Sequence, residues 1–103
     1  MPSETSIAVR RLRAKWRDGS IHDVIIEIGR PYPWGNSFRC CVRVSGLERE
    51  YSPPDFAGFD EIQAIVLSLE FVRHLLQWHL DDGGSLFYPD TDDPYTPDDL
   101  PKP

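Results

Sequence analysis

The sequence predicts an α+β domain: an antiparallel meander of three to four strands, one long C-terminal helix packed on one face, then an acidic Pro-rich tail. Three observations predict it. Apolar residues alternate with polar ones at period two across much of residues 6–45. The period changes to 3.6 across residues 60–80. Asp and Pro then crowd the end of the chain. With 103 residues there is room for one domain. It divides into a folded unit over 1–84 and a tail over 85–103 whose first residues can dock.

Residues 6–16 read as the first strand. Ala8, Leu12, Ala14 and Trp16 share one face, and Arg11, Arg13, Lys15 and Arg17 the other. Asp18-Gly19 is a hairpin signal, because both residues tolerate positive φ. Residues 22–29 return, with Val24, Ile26 and Ile28 on one face. Residues 30–36 read as a loop, since Pro31 and Pro33 cannot donate to a ladder. Residues 37–45 are the cleanest strand: Phe38, Cys40, Val42 and Val44 alternate with Arg39, Cys41, Arg43 and Ser45. Residues 48–52 are a candidate short fourth strand, stopped by Pro53-Pro54.

Asp60 is a good helix N-cap, with Gln63 three residues on as in a capping box. Gly83-Gly84 supplies the stop. Placed at 100° steps, the helix shows two apolar stripes. Ile62, Ile65, Val66, Leu69, Val72, Leu76 and Leu80 form a broad one, read as core. Ala64, Leu67, Phe71, Leu75 and Trp78 form a second, with Ser68 and His79 counted among the polar residues between. A second stripe needs a cover: a partner chain, a second copy, Leu86, Phe87 and Tyr88 folding back, or a sheet that wraps the helix more fully than a flat one would.

The net charge of −6 conceals an asymmetry: residues 1–50 sum to +3 and residues 51–103 to −9. Overall acidity disfavours nucleic acid and anionic membranes as partners. No apolar run approaches the ~20 residues of a membrane span. The N-terminus lacks the basic start and apolar run of a signal peptide. Cys40 and Cys41 are adjacent and point to opposite faces of a strand, so they are read as reduced thiols of a cytoplasmic protein.

No catalytic residue, cofactor or metal is assigned. Two Cys and three scattered His make no zinc framework, and His74 pairs more naturally with Glu70, four residues back. From Asp90, the sixth and twelfth positions of a calcium loop would be Tyr95 and Pro101 rather than Gly and Glu. There is no nucleophile elbow, phosphate loop or dinucleotide fingerprint, although such absences count only weakly against catalysis.

Three surfaces remain as candidates. The first is the second helical stripe, Ala64, Leu67, Phe71, Leu75 and Trp78, as a seam for a protein partner or homodimer. The second is a basic sheet face, Arg11, Arg13, Lys15 and Arg17 joined by Arg39 and Arg43, as an anion or nucleic-acid site gated by the acidic tail. The usual alternative is a solvated outer sheet face. The third is the loop carrying Tyr32 and Trp34, residue types common as interface anchors; the alternative reading, slightly favoured, is that Trp34 tucks over the end of the core.

The order of signals, Asp18-Gly19-Ser20, Ile28-Gly29-Arg30-Pro31, Phe38-Arg39-Cys40, Gly46-Leu47 and Gly58-Phe59-Asp60-Glu61-Ile62-Gln63-Ala64, resembles a family of small, mostly bacterial domains of unknown function. Their helix opens with Gly-x-Asp-x-x-Gln-Ala. The resemblance covers about residues 8–80 and implies an α+β fold, with no activity, cofactor or catalytic residue to carry over. The reading is a non-enzymatic protein-interaction module, with anion binding as the alternative.

Overall fold

The computed structural model describes residues 6–50 and 53–99. The α+β architecture holds, built from two antiparallel sheets and one long helix. The strands are β1 (Ser6–Lys15), β2 (Ile21–Gly29), β3 (Tyr32–Trp34), β4 (Ser37–Cys40), β5 (Val42–Ser45), β6 (Phe56–Gly58) and β7 (Ser85–Phe87); the helix α1 is Glu61–Asp81, and a 3-10 turn covers Pro97–Asp99. The larger sheet runs β5-β2-β1-β7 and the smaller β3-β4-β6.

The β1–β2 hairpin forms as read, with Leu12 opposite Val24 and Arg13 opposite Asp23. Trp16 and Ser20 close it through a 2.9 Å backbone bond, and the Asp18 carboxylate accepts from the Ser20 N–H at 2.8 Å. Trp16 also stacks on His22, ring centroids 3.6 Å apart, and donates its indole N–H to the Gly46 carbonyl at 3.0 Å.

The expected single strand over 37–45 is two strands in two sheets. The chain leaves the ladder at Cys41, whose carbonyl accepts from the Gly29 N–H at 2.8 Å. On one side of it β4 pairs with β3 and β6; on the other β5 pairs with β2. Alternation continues through the break because Cys40 and Val42 both reach the core. The expected loop over 30–36 contains β3, which pairs Tyr32 with Arg39 and Trp34 with Ser37. Pro33 is accommodated because β3 is an edge strand, where a missing N–H costs no ladder bond. A two-residue turn joins β3 to β4, with Gly35 at φ 61° in its first position, the backbone region glycine enters without penalty. No strand forms over Leu47–Glu50, and Tyr51 and Ser52, the end of the expected fourth strand, lie outside the described residues. The strand of that region is β6, three residues long and too short to show a period.

The helix starts as read. Asp60 caps it, accepting from the Gln63 N–H at 2.7 Å. The Gln63 side-chain oxygen in turn accepts from the Phe59 N–H at 2.7 Å, one residue before the cap. The two stripes, however, are the flanks of one broad face. Its buried residues are Ala64, Ser68, Val72, Leu75, Leu76 and His79, so Ser68 and His79 lie along the middle of the core seam. Ser68 satisfies its hydroxyl by donating to the Ala64 carbonyl at 2.9 Å. His79 Nε2 lies 3.1 Å from the Ser85 carbonyl, an acceptor that requires the ring nitrogen to carry the proton. Ile62, expected in the core, is 73% exposed at the helix start.

The helix meets β4 and β6 of the small sheet and β2 and β7 of the large one. The core joins Leu12, Ala14, Val24, Ile26, Ile28, Cys40, Val42, Leu47, Ala64, Val72, Leu75, Leu76, Leu86 and Tyr95. Leu86 and Tyr95 follow Gly84, so the segment expected as an acidic tail contributes both a strand and a core tyrosine. Its chain doubles back beside β7: Phe87 bridges to Pro94 and the Tyr95 N–H donates to the Leu86 carbonyl at 2.9 Å. No helix among the described residues is long and apolar enough to cross a membrane.

Candidate functional site: an aromatic and arginine hairpin

Because β3 pairs with β4, Tyr32 and Arg39 stand side by side on the face of the small sheet away from the helix. The period of two adds Trp34 to the same face. Trp34 is 58% exposed. Arg39 lays its guanidinium over the indole, with Cζ 4.9 Å from the ring centroid, and Tyr32 meets the same ring edge-on at 6.5 Å. The Tyr32 hydroxyl donates to the Asp55 carboxylate, which raises its pKa above the usual phenol value. Arg39 is half-buried, and its Nε is buried without a hydrogen-bond partner. The result is a planar aromatic surface with a cation fixed against it, held by strand pairing rather than by a mobile loop. The sequence marked Tyr32 and Trp34 as a loop and placed Arg39 elsewhere; only the β3–β4 register joins them.

The residues of the second helical stripe have separate fates. Ala64 is fully buried and Leu75 is 3% exposed, so both are core. Phe71 packs on Phe56 of β6, ring centroids 5.1 Å apart. Leu67 and Trp78 reach the surface, 39% and 40% exposed. The cover over this side is β6 and the chain around Leu47, so the sheets wrap the helix more fully than one flat sheet would; Leu86 and Phe87 pair with β1. Gly58 shows how close β6 comes: a Cβ there would lie 2.5 Å from the Ala64 nitrogen. Near the end of the helix, Leu47, Leu75, Trp78 and His79 floor a small cleft of about 100 Å³. The ion pairs Arg17–Glu48 at 2.6 Å and Arg49–Asp82 at 3.0 Å edge it.

The six basic residues do not form one surface. Arg11, Arg13 and Lys15 share the outer face of the large sheet with Ile25, Asp23 and Ile21 directly opposite them. Arg13 donates to the Thr91 carbonyl and lies 3.7 Å from Asp92, so the segment after β7 does lie against this basic residue. Arg43 shares that outer face two strands away, opposite Glu27, whereas Arg17 is engaged by Glu48 and Arg39 belongs to the other sheet. Elsewhere, Glu70 pairs with both Arg73 at 3.2 Å and His74 at 3.6 Å. Cys40 is buried and Cys41 half-buried, both free thiols, and burial pushes both above the ordinary thiol pKa. Such thiols are poor nucleophiles at neutral pH. Among the described residues, no cluster of three or more His, Cys, Asp or Glu is arranged to hold a metal ion.

A family model described as a domain of unknown function, DUF6968, matches residues 8–96. The chain belongs to this family. The match runs past the helix and through β7 to Thr96, so the DUF6968 domain includes the doubled-back segment and Tyr95. No curated protein and no solved structure matches the chain.

Proposed function

We propose that this DUF6968 domain is a non-enzymatic protein-interaction module that engages its partner through the β3–β4 hairpin. The observation that carries the reading is the Tyr32, Trp34 and Arg39 cluster. Trp, Tyr and Arg are the residue types that dominate interface energies when they are pre-positioned. Here strand pairing and ring stacking hold all three before any partner arrives, which lowers the ordering cost of association. The two thiols, by contrast, are held above their ordinary pKa by burial, which makes them poor nucleophiles at neutral pH.

The test places a photo-reactive aromatic at position 34 of the full chain and irradiates it in lysate of the source cells. A discrete cross-linked protein is the expected product. The same label at Ile21, 53% exposed on the outer face of the large sheet, serves as control. Equal labelling from both positions would defeat the proposal.

A second reading, a homodimer seam along the helix, is supported by Leu67 and Trp78, which flank the same edge of the buried face. Light scattering at micromolar concentration tests it: a dimer that Trp78→Ala dissociates is the supporting result, and a strict monomer removes it.

A further inference from the structure

We infer that the partner segment recognised by this hairpin is an extended acidic peptide, with a carboxylate on the Arg39 guanidinium and an adjacent apolar or proline side chain on the Trp34 ring. The inference rests on the reading of the hairpin as the interaction site and adds the chemistry of what it takes. Arg39 forms no ion pair with a carboxylate among the described residues, unlike Arg13, Arg17, Arg49 and Arg73. It is half-buried and pinned against the indole. A guanidinium is weakly hydrated, and its rigid fork matches a carboxylate in two parallel hydrogen bonds. The Asp55 carboxylate accepts from the Tyr32 hydroxyl and makes no ion pair with Arg39, so the guanidinium has room for an outside acceptor.

Three features select a peptide. The Trp34 indole, 58% exposed beside the Arg39 guanidinium and with Tyr32 at its edge, is the kind of surface on which proline rings and other flat apolar groups pack in recognition of extended segments. Pro33, at the centre of the edge strand, has no N–H to offer an added strand, so side chains rather than a backbone ladder must supply the contacts. Among the described residues, the cation this face pins against its aromatic ring is Arg39, on a chain of net charge −6. One cation suits a segment with one or two carboxylates and not a polyanion, whose affinity scales with the number of phosphates neutralised.

The experiment titrates the full chain with acetyl-Ala-Pro-Glu-Pro-Ala-amide and with its Glu→Gln counterpart, following tryptophan emission and the backbone NMR shifts of β3 and β4. The expected result is binding of the Glu peptide about tenfold or more tighter than the Gln peptide, as a charge-assisted hydrogen bond requires. Shifts should be confined to the hairpin. In Arg39→Gln that preference disappears, whereas Arg39→Lys retains part of it. Trp34→Ala weakens both peptides equally. The peptide comparison uses the unaltered protein and needs no variant to fold. Equal affinity for the two peptides, or no binding of either, overturns the acidic-segment inference. Neither result touches the hairpin as an interaction site, which the cross-linking at position 34 decides separately. Tight binding of a short oligothymidylate at the same hairpin shifts would also overturn it, in favour of a nucleic-acid ligand.

Discussion

Ser68 donates its hydroxyl to the carbonyl of Ala64, one helical turn back, at 2.9 Å, and both residues are fully buried. This short contact converts an apparent polar boundary into the centre of the helix's core face. A serine that satisfies itself on its own helix presents little more than a methylene and a methine to its neighbours. The helix can therefore approach the sheets closely along the line of Ala64 and Ser68, and larger side chains flank it on either side.

The seam is sized for small residues. Ser68→Leu should destabilise the domain by about 1–3 kcal/mol through overpacking. Ser68→Ala should stay within about 1 kcal/mol of the parent, since one hydrogen bond and its acceptor's desolvation nearly offset. Urea midpoints at constant m-value read both. Equal losses in the two variants would show that the hydroxyl, and not the space, matters.

Gly58 makes the same argument from the strand side. Any Cβ at this position meets the Ala64 nitrogen at 2.5 Å and the Gln63 carbonyl carbon at 2.9 Å. Neither is a side-chain end that can swing away. Gly58→Ala is expected to cost about 1–3 kcal/mol and to perturb the NMR shifts of the first helical turn. A variant as stable as the parent would mean that β6 can move off the helix freely.

Tyr95 ties the acidic segment to the core. It is 1% exposed, packs edge-on against Tyr88 with ring centroids 5.1 Å apart, and lies under Arg10 at 5.8 Å. Tyr95→Ala should cost about 3–5 kcal/mol, the usual range for an aromatic truncated in a core. Thermal denaturation measures it. A loss of less than about 1 kcal/mol would indicate that the residues after β7 are dispensable.

Alkaline pH should weaken the fold through its thiols. Burial raises Cys40 above its ordinary value of 9.0, so the native protein holds a proton that the unfolded chain releases. The native state therefore binds more protons than the unfolded one once the pH passes that value. Stability is unaffected by this group below about pH 8 and falls as the pH climbs beyond about 9. Cys41, raised by the same cause, and Tyr95, whose burial lifts its phenol, act in the same direction. Urea midpoints at about pH 8 and about pH 10 should differ, and by less in Cys40→Ala. A midpoint that does not change with pH would contradict the burial of these groups.

Much of the fold was legible in local sequence. The β1–β2 hairpin follows from alternation around Asp18-Gly19, and the helix from its period together with the Asp60 and Gln63 cap. Those features need only near neighbours, within one turn or one hairpin. The division of residues 37–45 at Cys41 was not legible, because a strand that passes from one sheet to another keeps its alternation when both halves face the same core. β3 was obscured by Pro33, which is forbidden in a central strand but accepted at an edge, and edge position is a property of the assembled sheet. β6 and β7 are three residues each, below the length at which a period can be recognised.

The candidate site divides the same way. Sequence alone determined that Tyr32 and Trp34 are large aromatics braced by prolines and that Cys40 points inward. Tertiary structure alone decided that Arg39 belongs with Trp34 and not with Arg11 and Arg13. It likewise decided that Ala64 and Leu75 are core while Leu67 and Trp78 are surface, and that an Asp- and Pro-rich segment buries a tyrosine. The physical reason is common to all of these. Side-chain direction along one element is set by local geometry, but which face meets water depends on what the rest of the chain lays over it.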